Sequence, residues 1–475
     1  MENWLSKRAR LTPNRCALKS GAKQLTFFQL QAQVLQQAGR IASLQPRKRV
    51  AILTDNTMTG YLTILAVQQL GLEPVLLNWR LATNELNQQL NDAAVDLCLA
   101  ADRLAQPLAA RVISFSQLSQ QTPVASTPVA EFPPNGIASI MYTSGTSGRA
   151  KGVLQTYRNH FFSAMGSVLN LGLTETDSWL CCVPLFHISG LSIMMRSLIY
   201  GMTVVLVDHF DATTINQLLC TQPITTISVV PYMLKKLLAQ LPTDKHYNAA
   251  FRCMLLGGGA IDRETLTHCQ QRQIPVIQSY GMTETASQIV ALNFASAEQK
   301  IGSAGQPLFP VQIKITPENA TNGHILIKTP TLAAGYLNQM AAFKQHFQHG
   351  WFDTGDIGYL DAEGFLFVTG RSGDMINSGG ENMFPAEIET VYQQHPAVQQ
   401  IVVAGQSDPT WGSVPVAYLQ LNQPISAAEL QQYGRQHLAH YKVPHAFYQV
   451  ESFPRTGNGK VKRRALTPAS GRPLQ

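Results

Sequence analysis

Charge and long apolar runs are both scarce in this chain. Of its 475 residues 14% are charged and 45% are hydrophobic, a balance that excludes a disordered or low-complexity chain. No run of eighteen apolar residues occurs, so a transmembrane helix is not expected. Lys7, Arg8 and Arg10 have no apolar run behind them, so a signal peptide is not expected either. The net charge is +7, yet basic runs are short, at Arg47-Lys48-Arg49 and Lys462-Arg463-Arg464. That argues against a nucleic-acid partner, and the surplus suits small anionic substrates. Cysteines number seven, an odd count without a Cys-x-x-C, and their spacing fits no zinc site. Reduced thiols and a cytoplasmic location are the expectation. No repeat of 20–50 residues stands out.

What is present is length and alternation. A chain of 475 residues exceeds one ordinary core, so two or more domains are expected. Helical signals at Phe28 to Ala42 and Tyr61 to Leu70 alternate with strand-like runs at Arg49 to Leu53 and Glu73 to Asn78. This pattern predicts parallel α/β layers. Gln121 to Asn135 carries four prolines and reads as a connecting loop.

An apolar run, Ile137 to Tyr142, then enters a loop of hydroxyls and glycines. Thr143, Ser144, Thr146 and Ser147, with Gly145, Gly148 and Gly152, surround Lys151. Glycines let backbone N–H groups approach an anion, hydroxyls donate to phosphate oxygens, and the lysine adds a point charge. A polyphosphate-binding loop is the reading; a solvated turn is the alternative. It is not a Walker A loop, because Gly152 and not Ser or Thr follows Lys151. A helix from Asn159 to Leu169 is expected to begin at this anion site.

The stretch resembles the signature of the acyl-adenylate-forming superfamily, usually T-S-G-T-T-G-x-P-K-G. Ser147 stands for a threonine and Ala150 for the proline. Four later segments resemble the same superfamily in its order. Pro184-Leu185-Phe186-His187 matches its P-x-x-H, which places His187 beside the acyl substrate. Gly257-Gly258-Gly259-Ala260 ends a strand where the family lays backbone along adenine. Ser279-Tyr280-Gly281-Met282-Thr283-Glu284 matches Y-G-x-T-E. There Tyr280 would stack on adenine, Thr283 would donate to the α-phosphate, and Gly281 would border nucleotide and acid. Glu284 would be a hard oxygen ligand to Mg²⁺. Thr354-Gly355-Asp356 matches T-G-D, giving Asp356 to the ribose hydroxyls, with Arg371 as a second nucleotide contact. Near the end, Gly457-Asn458-Gly459-Lys460 places a lysine on a flexible loop.

The resemblance implies an α/β fold with a large N-terminal domain, residues 1–371, and a small C-terminal α+β domain, residues 372–475. The small domain would rotate about a hinge at Gly373 and carry Lys460 as the catalytic lysine, acting with His187 and Thr283. Ser378, Gly379 and Gly380 would border CoA. It implies an AMP-forming acid–CoA ligase with ATP, Mg²⁺ and CoA. A carboxylate attacks the α-phosphorus of ATP, and a thiol then displaces AMP. The run Ser279 to Gln288 resembles ligases of an aromatic keto-acid; a benzoate or short-acyl ligase, or an adenylation domain loading a carrier protein, is the alternative. A homo-oligomer is compatible with all of these.

Overall fold

The apolar runs become strands of parallel sheets, and the loops that follow several of them hold the motif residues. The computed structural model describes residues 1–143, 150–259, 261–297, 299–317, 322–378, 381–455 and 461–475. Contacts gather the chain into two compact units. The first comprises Met1–Gln312 and Lys328–Phe347, the second Ile313–Ile327 and Gln348–Gln475.

Two sheets build the first unit. One runs in the order Gly335–Tyr336, Lys151–Thr156, Ile137–Thr143, Glu73–Leu77, Arg49–Leu53, Leu97–Ala100, Arg111–Ser114. Its last five strands are parallel, and the inner runs are apolar because both faces are covered, while the edge strand Arg111–Ser114 is partly exposed. Ala51, Leu53, Val75, Leu77, Cys98 and Ile140 form its core. The second sheet has parallel strands Val276–Met282, Cys253–Leu256, Thr226–Val229, Ser178–Cys181, Thr203–Leu206 and Cys16–Ser20 in that order, with antiparallel strands at each edge. Parallel sheets of this kind bind ligands outside the carboxyl ends of their strands. Thr143, the Gly257–Gly259 turn and the segment before His187 all lie just there.

One expectation is corrected. The helix after the phosphate loop spans Tyr157–Leu171 and does not begin at the anion site. Strand Lys151–Thr156 intervenes, folding back antiparallel on Ile137–Thr143, and six strand residues span about 20 Å. The helix caps itself: Thr156 Oγ1 accepts from Asn159 N, and Asn159 Oδ1 accepts from Thr156 N. No N-terminal dipole is therefore offered at Lys151.

The second unit holds strand Gly323–Lys328, all but its last residue, with Trp351–Leu360 and Leu366–Arg371 in one sheet. A further sheet, around Val398–Asp408 and Gly412–Leu421, packs helix Pro385–Tyr392 over Ile376, Val403, Ala417 and Phe447. This contact-based division differs from one at 371/372, because Leu366–Arg371 pairs with Trp351–Leu360, and a Cβ on Gly370 would lie 3.0 Å from Phe384. No helix among the described residues is long and apolar enough to cross a membrane.

One ion pair clamps the starts of two strands whose ends carry the site. Asp177, buried before Ser178–Cys181, accepts from Arg252 Nε at 3.1 Å and Nη2 at 2.7 Å, and Arg252 precedes Cys253–Leu256. Burial pushes the Asp177 carboxyl up, but hydrogen bonds from Arg252 and Thr174 and the Arg252 charge outweigh it and hold it below its ordinary value. A depressed carboxylate contributes stability above its unfolded pKa and loses it as pH falls through the folded value. Asp177→Asn should therefore lower unfolding free energy by roughly 3 kcal/mol at neutral pH, with the gap to the parent narrowing in acid. Urea titrations at both pH values read this directly; equal stability at neutral pH would show that the clamp is idle.

Candidate active site

The hairpin that carries the phosphate loop is fixed on both strands. Thr143 and Lys151 are cross-strand partners, and Ser144, Gly145, Thr146, Ser147 and Gly148 lie outside the described residues. Tyr142 Oη donates to Asp92 Oδ2 at 2.8 Å. Gly152 is tightly enclosed, since a Cβ would sit 3.2 Å from Leu337 and from the Tyr142 ring. Lys151 leaves this hairpin with its Nζ 4.7 Å from the centroid of the Tyr336 ring.

The same tyrosine reaches the predicted metal carboxylate. Tyr336 Oη donates to Glu284 Oε1 at 2.8 Å, so Lys151 and Glu284 meet on one ring. Glu284 sits in the turn Thr283–Thr285, 7% exposed, with no lysine, arginine or histidine ion-paired to it among the described residues. Its turn is held from two sides: Ala333 N donates to Glu284 O at 2.7 Å, and Gln155 Nε2 donates to Thr283 O at 2.7 Å. No cluster of three or more His, Cys, Asp or Glu suited to a metal occurs among the described residues. A buried carboxylate with one hydroxyl donor and no counter-ion fits Mg²⁺, which takes one or two carboxylates and fills its remaining positions with water and phosphate oxygens.

The rest of the predicted adenine segment is tightly built. Gly281 lies opposite Gln288, and a Cβ there would come within 2.2 Å of Ser287 O, so no other residue fits. Ser279 Oγ donates to Leu256 O at 3.0 Å, which joins the segment to the strand ending at Gly257–Gly259. Gly258 adopts φ +82°, a left-handed turn that favours glycine. Tyr280 is half-buried beside them, and Ala260 lies outside the described residues.

His187 stands at the N-cap position of helix Ile188–Tyr200, without a side-chain capping bond, and is half-buried, its ring 4.6 Å from that of Phe186. A residue missed by sequence reasoning fixes its approach. Asn56, 3% exposed, donates through Nδ2 to Val183 O at 2.9 Å and accepts from Leu185 N at 2.9 Å. It lies just past strand Arg49–Leu53, and a lone asparagine after a strand gives no distinguishing signal.

The second missed residue is Arg196, about two and a half turns along the helix from His187. It is 2% exposed, a permanent cation with no carboxylate partner among the described residues. Its Nη2 donates to Gln288 Oε1 at 2.9 Å and to Ser287 Oγ at 3.2 Å, while Nε is buried without a partner. The guanidinium lies 5.3 Å over the Trp179 ring. Burial and the Arg196 charge push His160 down to about 3, so that histidine stays neutral. His160 Nε2 is 3.1 Å from Ser139 Oγ, which donates to Gln155 Oε1 at 2.7 Å. A polar chain therefore runs from His160 through Gln155 to the backbone of Thr283.

In the second unit Asp356 and Arg371 are cross-strand partners, with Arg371 Nε 2.8 Å from Asp356 Oδ1. Asp356 is 5% exposed. Gly373 lies in the short turn Ser372–Asp374, and its carbonyl accepts from Arg464 Nη2 at 3.1 Å. Ser378 is buried in strand Ile376–Ser378, and Gly379, Gly380 and Lys460 lie outside the described residues.

Residues 5–337 match the model of the AMP-binding enzyme family, and residues 387–460 that of the AMP-binding enzyme C-terminal domain. This chain belongs to the AMP-binding enzyme family. It is 48% identical to a 2-succinylbenzoate–CoA ligase of Listeria monocytogenes over 468 residues, 98% of this chain and 99% of that one. It is 44% identical to one from Geobacillus, with 98% and 96% covered. Among solved structures it resembles Bacillus subtilis o-succinylbenzoate CoA synthetase in complex with its acyl-adenylate intermediate. That match has a TM-score of 0.95 and 41% identity over 100% of this chain and 99% of the other. The same Bacillus enzyme with ATP and a magnesium ion matches at a TM-score of 0.92 and 41% identity, with 98% and 99% covered.

Arg196 can be tested without any ligand. A buried cation retained for structure is costly to remove, whereas one without a counter-ion is often replaced at no loss. Gln288 Oε1 keeps a donor in Ser287 Oγ at 2.8 Å when the guanidinium is removed. Arg196→Met should thus unfold within about 1 kcal/mol of the parent, or be more stable. A loss of several kcal/mol in denaturant melts would make the arginine structural.

Proposed function

We propose that this enzyme joins 2-succinylbenzoate to CoA in two steps, serving menaquinone biosynthesis. In the first, the aromatic carboxylate attacks the α-phosphorus of ATP and pyrophosphate leaves. In the second, the CoA thiol attacks the acyl carbonyl and AMP leaves. Relatives of that name span nearly the whole chain and support the reading. The observation that carries the choice of acid is Arg196. A desolvated guanidinium without a counter-ion among the described residues suits a second, aliphatic carboxylate. It touches Ser287 and Gln288, and Gln288 is the cross-strand partner of Gly281.

The remaining roles follow from charge. Lys151 and the loop hydroxyls hold the β- and γ-phosphates. Glu284 holds Mg²⁺, which when bound offsets charge on the phosphates. Thr283 donates to the α-phosphate, Tyr280 stacks on adenine and Asp356 receives the ribose hydroxyls, with Arg371 orienting it. His187 borders the acid. Lys460 neutralises charge growing between carboxylate and α-phosphorus. The part beginning at residue 372 turns about Gly373 between the steps, which lets the thiol reach the carbonyl that Lys460 had faced. Seven free thiols, with ATP and CoA as co-substrates, support a cytoplasmic location for this reading.

Two measurements test this. With ATP, Mg²⁺ and CoA, 2-succinylbenzoate should exceed benzoate and octanoate in kcat/KM by at least about tenfold, and Arg196→Met should erase most of that preference, roughly 2 kcal/mol. If benzoate or octanoate wins, the acid is wrong and the ligase class stands. Separately, Lys460→Ala should slow pyrophosphate release about a thousandfold, on the order of 4 kcal/mol, while CoA transfer from supplied acyl-adenylate persists. Equal loss of both half-reactions would remove the lysine from its adenylation role.

A further inference from the structure

We infer that Tyr336 is a positioning residue for the Mg²⁺ carboxylate, and that it ties Glu284 to the phosphate lysine through a single ring. The inference rests on the ligase reading above and extends it to a residue outside the predicted site. Tyr336 is 3% exposed, and its strand Gly335–Tyr336 pairs with Val153 and Leu154, two and three residues after Lys151. Its hydroxyl donates to Glu284 Oε1 at 2.8 Å, and its face receives the Lys151 ammonium at 4.7 Å. Phe343 packs edge-on at 5.1 Å and His346 at 6.3 Å, so the ring is held in one orientation.

The physical consequence concerns which oxygen is presented. A hydroxyl engaged on Oε1 restrains the carboxylate plane and would leave Oε2 as a single ligand atom, the mode that Mg²⁺ favours. Without the hydroxyl, Glu284 can rotate, and the cation must pay for ordering it. Partners of this kind usually contribute 10–100-fold in metal affinity. The ring face does a different job, since it desolvates one side of the Lys151 ammonium and limits its sweep. The two arms are separable by substitution. Tyr336→Phe removes the hydroxyl and keeps the face, while Tyr336→Leu removes both.

The test measures binding rather than turnover. Calorimetric titration of the full-length protein with a non-hydrolysable ATP analogue, across a series of Mg²⁺ concentrations, gives the apparent Mg²⁺ requirement. Tyr336→Phe should raise that requirement about tenfold or more, while nucleotide affinity at saturating Mg²⁺ stays within about threefold of the parent. Tyr336→Leu should weaken nucleotide binding at saturating Mg²⁺ as well. In a Glu284→Gln background, Tyr336→Phe should add nothing to the Mg²⁺ effect. A phenylalanine variant with the parent's Mg²⁺ dependence overturns the inference, and so does one weakened equally at every Mg²⁺ concentration. A parent that binds the analogue without any Mg²⁺ dependence overturns the metal role of Glu284 itself, and with it the reading beneath.

Discussion

Two buried charges of opposite sign border one turn of this chain and do not neutralise each other. Glu284 is held by a tyrosine hydroxyl, and Arg196, held by a carboxamide and a serine, reaches the strand that starts three residues after Glu284. Left to fold energetics alone, a carboxylate and a guanidinium at low dielectric would pair or be replaced by apolar residues. Their separation is maintained by rigid backbone. Gly281 packs against Ser287 so closely that the hairpin cannot shift, and Gln155 and Ala333 pin the carbonyls of Thr283 and Glu284. The fold thus carries a standing electrostatic cost, which under the proposed function a metal–phosphate assembly would relieve at Glu284 and an acid at Arg196.

Strand Lys151–Thr156 transmits this arrangement across the first unit. Lys151 starts it, its neighbours Val153 and Leu154 pair with the strand bearing Tyr336, and Gln155 ends in the polar chain to Thr283. Alternation along a strand sends neighbouring side chains to opposite faces. Lys151 and Gln155, four residues apart, therefore share a face, and both are directed to the Thr283–Glu284 turn, one through Tyr336 and one directly. A shift of this strand by one residue would reverse every one of these assignments. The apolar partners on its other face, which keep it in register, serve the site as much as the polar ones do.

Much of the architecture was legible in the chain. The runs at Arg49–Leu53, Glu73–Leu77 and Cys253–Leu256 are continuous apolar strands bounded by polar turns, and helix Phe27–Ser43 carries its own capping box at Thr26 and Gln29. The motif residues were legible because their spacing matches a superfamily in order. What was not legible depends on contacts between distant residues. Tyr336 and Glu284 are 52 positions apart, Gln155 and Thr283 are 128, and Asn56 meets a backbone 127 positions on. Each is one polar residue in an ordinary local pattern, so periodicity gives it no signal. The helix start was misplaced for a related reason. Lys151 to Thr156 lacks a turn signal between strand and helix, and only the pairing with Ile137–Thr143 reveals it as a strand.

That misplacement changes the account of how phosphate would be held. A helix N-terminus at the loop would have supplied a partial positive charge and a row of aligned N–H donors. Because helix Tyr157–Leu171 starts beyond the strand and satisfies its own first donors through Thr156 and Asn159, that contribution is absent. At the proposed phosphate site this helix then adds no dipole, so side chains and the metal would carry more of the positive charge. Side chains can be withdrawn or screened, and a dipole built into a helix cannot. Lys151 is accordingly braced on an aromatic face, and the carboxylate that would bring the cation is braced by the same residue. Where this helix supplies no fixed field, orientation of the mobile charges has to be built from packing, and Tyr336, touching both Lys151 and Glu284, is suited to build it.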